Sequence, residues 1–305
     1  MTYFLKRLPS ALLTLWLVAT LVFFLTKATG AEAILGEGRN TPEIQAQIKA
    51  QWMLDKPLHV QYIAHMKKLL VLDSMESRKQ RGRSLRYFLK TNFPVSMKLG
   101  LRAMFLALLV GIPIGVFCAV YHNKLIDQAG SVFALLGVSV PSFILASLVI
   151  SVFVRNLNLF PATEWASGFW RMWVPAACLA AFPFAAILRL TRAATLEALR
   201  EDYIRTAHAK GVPPVRVIVR HALRNSLQPV VTYVGPATAG ILTGSLVVEK
   251  IFTIPGIGRF FVESVSNRDL PLIMGLTVFY CALLVGANLV VDALYPILNP
   301  KLRSQ

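Results

Sequence analysis

Six runs of mostly apolar residues divide the chain, near 9–26, 99–121, 130–154, 172–190, 229–248 and 272–295. A helix that crosses a bilayer needs about 20 such residues, so the pattern predicts an all-α membrane protein with six transmembrane helices. The first run follows Lys6 and Arg7 and precedes the small-residue string ATGAEA, flanks that also suit a secretory signal. Its apolar core is longer than the usual 7 to 15 residues of a signal. It is therefore expected to remain as the first helix.

Polar segments set the other boundaries. The reading places residues 1–27 as the N-terminus and first helix, 28–95 as an external region, 96–298 as a core of five helices, and 299–305 as a tail. The external region carries folding signals. Thr41-Pro42 is a helix start followed by Ile44, Ile48 and Met53 at roughly helical spacing, and HVQYIAHMKKLL suits a second short helix. His59 and His65 are six residues apart, off one helical face, with no cysteine or paired carboxylate beside them. No metal site is expected there or elsewhere.

Composition agrees with the pattern. Hydrophobic residues make up 55% and charged residues 15%, whereas soluble domains carry about 25% charged residues. The net charge of +17 would suggest nucleic acid in a soluble protein. Here the basic residues crowd beside apolar runs, where they orient helices and meet anionic headgroups, and no nucleic-acid motif accompanies them. Cys118, Cys178 and Cys281 sit inside apolar runs without CxxC spacing and read as small hydrophobes.

Charge also sets the expected orientation. With both termini inside, thirteen basic residues lie in inner flanks and loops, among them Lys6, Arg7, Lys124, Arg189, Arg192 and Arg200, against five in short outer loops, Arg155, Arg171, Lys250, Arg259 and Arg268. Short loops obey this bias, whereas long ones cross regardless of charge. The basic cluster from Arg78 to Lys90 is accepted outside on that ground.

One polar stretch interrupts the apolar core, IRTAHAKGVPPVRVIVRHALRNSLQP at 204–229, within an inner loop at 191–228. It reads as two short helices. The first, Ala194 to about Lys210, has Glu197, Glu201 and Asp202 early and Arg205 and Lys210 late, which suits the helix dipole. Gly211 supplies a left-handed stop, and Pro213-Pro214 open a second helix. There Val215, Ile218, Val219, Ala222 and Leu223 form an apolar stripe beside a row of Arg216, Arg220 and Arg224. Such a helix suits either a lipid surface or a docking partner.

YIRTAHAKG at 203–211 and HALRNSLQP at 221–229 resemble the cytoplasmic loop of the oligopeptide/dipeptide permease family of ABC importers. The resemblance extends to DKPLHVQY at 55–62, FPVSMKLG at 93–100, VPSF at 140–143, GSLVVEKIFTIPGIG at 244–258, and the closing VDALY and NPKLR. It implies a type I importer fold with a folded external loop between helices 1 and 2. It implies as partners a second similar permease, two cytoplasmic ATPases, an external substrate-binding protein and membrane lipid, in a bacterial inner membrane. Tyr203, Arg205, Thr206, Ala207, His208, Ala209, Lys210 and Gly211 would then couple the chain to its ATPase. Two departures stand out. Arg205 occupies the position where the broader importer motif has glutamate, as the peptide and nickel branch does, and LDSMESRKQRGRS lacks the Gly-Asp and second glycine common in relatives.

The chain has no GxxxxGK[ST] loop to hold phosphates, so ATP and magnesium are expected only in partner chains, and no cofactor in this one. Among polar residues in the core, Ser139, Ser142, Thr243 and Ser245 are candidates for a translocation path, with packing or capping as the alternative use. Arg102 sits where it can snorkel to a surface, and Asp292 suits a structural ion pair. Two other classes compete: an intramembrane protease using Ser245, which needs a base within reach although all five histidines lie off the mid-membrane, and a passive channel. Nickel, glutathione or antimicrobial peptides are alternative cargoes for the same architecture.

Overall fold

The computed structural model describes residues 2–28, 41–43, 46, 49, 53, 55–71, 75–77, 79, 80, 82–159 and 171–298. In chain order the helices are α1 (Thr2–Ala28), α2 (Leu58–Leu70), α3 (Leu85–Val120), α4 (Leu125–Ser139), α5 (Ser142–Val149, continued as a π-helix at Ile150–Asn156) and α6 (Trp173–Leu199). They are followed by α7 (Asp202–Ala209), a turn at Pro214–Arg216 with a π-helix at Val217–Ala222 leading into α8 (Leu223–Gly244), α9 (Leu246–Ile251), α10 (Ile257–Ser266) and α11 (Leu270–Leu298). Contacts divide the chain into residues 1–94 with 256–289, and 95–255 with 290–305.

Six spans were expected. Among the described residues four helices, α1, α3, α6 and α11, are long and apolar enough to cross a membrane, or five if α4 and α5 count as one span. The apolar run 130–154 is not one helix, because it bends by 97° between α4 and α5. Pro141 has no N–H to donate and pushes Val140 to extended geometry (φ −98°, ψ 115°), so α4 stops at Ser139. The run at 229–248 divides between α8, whose first turns carry Arg224, Asn225 and Gln228, and the start of α9, and α8 is not among the four.

The unit of residues 95–255 packs on small side chains. Ala103 and Ala107 of α3 are buried, and in the same i+4 row Gly115 approaches α6 so closely that a Cβ would lie 2.7 Å from the Leu188 carbonyl oxygen. On α4, a Cβ at Gly137 would lie 2.8 Å from the Ala181 carbonyl oxygen of α6. Bulky residues face away: Val132, Phe133, Leu135 and Leu136 of α4 are all exposed. That inversion of a soluble pattern is the one expected of helices that associate through close backbone contact and present large side chains to lipid.

In the unit of residues 1–94 and 256–289, α2 rests on α1. The Thr20 and Tyr62 hydroxyls are 2.8 Å apart, Lys27 donates to the Gln61 side-chain carbonyl, and the Phe23 and Tyr62 rings meet edge to face at 5.4 Å. The expected helix over HVQYIAHMKKLL is thus present. Most of the helix expected from Thr41-Pro42, with Ile44 and Ile48, lies outside the described residues. The described residues of LDSMESRKQRGRS make a small antiparallel turn: Glu76 bridges Ser84, the Leu85 N–H donates to the Met75 carbonyl at 2.8 Å, and Gly82 takes φ +77°. Ser77 is buried and donates to Asp269 at 2.5 Å, which pins this turn to the start of α11.

His65 of α2 is 8% exposed against Phe23, and its Nε2 has no hydrogen-bond partner among the described residues. Burial, with Lys68 and Lys27 nearby, pushes its pKa down to about 4. The folded chain therefore resists a proton that the unfolded chain accepts from about pH 6.5 downward. Stability contributed by neutral His65 is intact above that pH, falls as pH drops through the window from 6.5 to 4, and levels off below it. Thermal denaturation in detergent should show wild type losing on the order of 2 kcal/mol more than His65→Phe between pH 7 and pH 5. Parallel pH profiles would contradict the assignment.

Candidate coupling site

The polar segment folds differently from two separate helices. The chain continues as α6 to Leu199, so Glu197 belongs to the end of a spanning helix, and the break falls at Arg200-Glu201. The short helix α7 has Glu201 at its N-cap and Asp202 in its first turn, acids placed where the helix dipole favours them. The second short helix is instead the first turns of a continuous run from Pro214 into α8.

The end of α7 follows from its last residues. The Val212 N–H donates to the Ala207 carbonyl (3.2 Å) and the Gly211 N–H to the His208 carbonyl (2.9 Å), the paired bonds of a Schellman stop. Gly211 sits at φ +74°, a conformation that costs most other residues. Ile204 and Ala207 then turn inward onto Ala198, Val217 and Ala222, with Val212 packed against them. This cluster is the seat of α7.

Everything else on α7 faces out. Arg205, Thr206, His208, Ala209 and Lys210 are exposed, and Tyr203, also exposed, accepts a hydrogen bond from the Asn225 side chain at 3.0 Å. Among the described residues Arg205 pairs with Asp202 at 3.5 Å, two exposed groups, a pairing that holds it weakly. Residues 203–211 thus form one short helix and its stop, with Ile204 and Ala207 as anchors and the others presented outward.

The apolar stripe expected next is out of phase. Val215 is 73% and Val219 59% exposed, whereas Val217 and Ala222 are buried. The π-helix at Val217–Ala222 closes i→i+5 bonds, so residues five apart share a face rather than residues three and four apart. Arg216, Arg220 and Arg224 remain exposed.

The four path candidates do not gather. Ser142 lines a cavity of about 500 Å³ with Val140, Pro141, Pro183, Tyr233 and Pro236. Ser139 is exposed, and the side chain of Thr243 lies outside the described residues. Ser245 is fully buried and donates to the equally buried Glu249 at 2.6 Å. Pro183 removes the helical hydrogen bond to the Leu179 carbonyl, and both residues line the cavity. Asp127 stands outside the candidates expected from sequence, and its carboxylate is clamped by Arg192. An acid in the first turn of an apolar run was the only signal, and its partner lies 65 residues away.

Residues 111–304 match the binding-protein-dependent transport system inner membrane component family, and residues 1–96 match the N-terminal region of such components. The chain belongs to this family. It is 44% identical over 301 residues to the dipeptide transport system permease protein DppB of Bacillus subtilis (strain 168), covering 99% of this chain and 97% of that one. It is 38% identical over 302 residues to the oligopeptide transport system permease protein OppB of Escherichia coli (strain K12), covering 99% of each. In fold it is similar to a chain of the MetNI methionine ABC transporter in inward-facing conformation, with TM-score 0.56 and 15% identity over 70% of this chain and 98% of that one. The resemblance drawn from the loop motifs therefore holds: this is a multi-pass inner-membrane transport component with an ABC importer permease fold.

For this family member the Schellman stop has a measurable consequence. A Cβ at Gly211 would meet nothing within 4 Å, so the cost of Gly211→Ala is purely conformational, about 1 kcal/mol. Trypsin cleavage after the exposed Lys210 should become about fivefold faster in Gly211→Ala, and much less so in Gly211→Asn, since asparagine tolerates this conformation. Equal cleavage rates in all three proteins would refute the account.

Proposed function

We propose that this chain is the membrane-spanning half of an ATP-driven importer of oligopeptides or dipeptides, with α7 as the coupling helix. The observation that carries the reading is α7 itself, a short helix seated by Ile204 and Ala207 with its polar residues turned outward and unburied. The near full-length likeness to dipeptide and oligopeptide permeases supports the cargo class. The chain pairs with a second similar permease, two ATPases that hold ATP and magnesium, and an external substrate-binding protein. Cargo passes beside Ser142, where an apolar wall and a carbonyl freed by Pro183 suit a peptide backbone.

Both termini and α7 lie on the cytoplasmic side and the 28–95 region outside, as the basic residues of the short loops favour. Because Ser77 is buried against Asp269, the exposed Lys79 is the better reporter of the outer side. A cysteine replacing Lys79 should react with an impermeant thiol reagent in intact cells, and one replacing Glu201 should react only after lysis. The inverse pattern would overturn this orientation.

Transmission through α7 is tested by Gly211→Val, whose β-branched side chain strains the stop between the exposed face and its seat. In vesicles holding the complete transporter, the variant should assemble and hydrolyse ATP yet take up several-fold less peptide per ATP, a coupling loss of roughly 1 kcal/mol. Wild-type uptake per ATP would reduce α7 to an interfacial helix. ATP hydrolysis by the purified single chain would refute the division of labour.

A further inference from the structure

The turn between α3 and α4 is closed by a single carboxylate. Asp127, 3% exposed, accepts the Asn123 N–H at 2.9 Å, and Asn123 holds a left-handed φ of 62°. The same carboxylate takes both arms of a fork from α6: Arg192 Nε donates to Oδ1 at 2.5 Å and Nη2 to Oδ2 at 2.8 Å. His122 Nδ1 lies 3.1 Å from Asp127 Oδ2 and 3.3 Å from Arg192 Nη2.

A buried ion pair adds little net stability over an apolar pair, since desolvation offsets its attraction. What a bidentate fork does supply is fixed distance and angle. Its position gives that rigidity a use. The close contact of α3 with α6 extends to Thr191, beside Gly115. Beyond Arg192, α6 runs to Ala198, part of the seat of α7. A notch of about 430 Å³, lined by His122, Leu196, Glu197, Arg200 and Asp202, opens between the turn and the start of α7. The fork reaches the edge of that notch through His122, and Ala198 holds the end of α6 in the seat of α7.

Resting on the coupling role of α7, we propose that Asp127 and Arg192 are positioning residues for transport: a strut that makes α4 follow the end of α6 when α7 is moved. Without the fork, the last turns of α6 bend into the notch, and displacement of α7 is absorbed there. The strut then decides how much of each ATP-driven movement reaches the half-span that ends at Pro141.

The test uses vesicles holding the complete transporter, with peptide uptake and ATP hydrolysis measured on the same sample. Asp127→Asn keeps an oxygen for the Asn123 N–H and loses the ion pair. It should lower uptake per ATP by roughly fivefold with ATP hydrolysis retained. Arg192→Lys, which keeps the charge and one donor, should fall between that variant and wild type. A merely structural clamp would reduce the amount of assembled complex and leave uptake per ATP unchanged in whatever assembles. That result in both variants overturns the proposal. Gly211→Val in the same assay separates the two readings: if it uncouples while Asp127→Asn does not, only the strut falls. If neither variant changes the ratio, the coupling role of α7 falls with it.

Discussion

The arrangement of residues 95–255 depends on how closely α6 can be approached. Lipid is as apolar as a leucine side chain, so helices gain little by hiding large residues from it and associate where backbones come near. Gly115 of α3 and Gly137 of α4 both lie against carbonyl oxygens of α6, at Leu188 and Ala181, with less room than one methyl group requires. Leucine and phenylalanine are left on the outside, where they suit hydrocarbon. α6 thereby serves as the common wall on which α4 and α8 pack and to which α3 comes close at Gly111 and Gly115.

Because that wall continues past its apolar stretch to Leu199, the end of a packed helix becomes the platform for a short exposed one. Ala198 contributes to the seat, Ile204 and Ala207 are held by it, and the paired bonds at Gly211 stop α7 after eight residues. The π-helix that follows fits the same seat. Its five-residue spacing brings Val217 and Ala222 together onto the cluster, which an α-helix would have turned apart. A segment of low hydrophobicity is thus held by five buried apolar side chains, while its charged residues face outward.

Prolines contribute in proportion to what surrounds them. Pro141 ends a helix outright because the extended Val140 before it cannot continue the turn. Pro183 and Pro236 remain inside helices, where neighbouring helices and local adjustment accommodate the missing bond. All three line the same cavity with Ser142. Backbone irregularity in a spanning region is tolerated where it faces protein or a cavity rather than lipid, which is how these three are placed.

Much of this was legible in the sequence because it depends on neighbours in the chain. The apolar runs marked α1, α3, α6 and α11, HVQYIAHMKKLL marked α2, and Gly211 followed by two prolines marked the stop after α7. Those motifs, in their order, also identified the family. Other features needed the tertiary structure. The 97° bend at Pro141 was invisible to a hydropathy average, since both arms are equally apolar. The phase of the segment after Pro214 depended on a π-helix that matches the seat of α7, and periodicity alone assumed an α-helix. Ser245 could not be told from Ser142 by residue type: one is sealed against Glu249 and the other borders a cavity. Asp127 met Arg192 only because α4 and α6 pack closely enough to bring residues 65 apart within hydrogen-bond distance. Local chemistry fixes where helices start and stop, but which of their side chains meet is set by close approach between helices distant in the chain, and no short window of sequence contains that information.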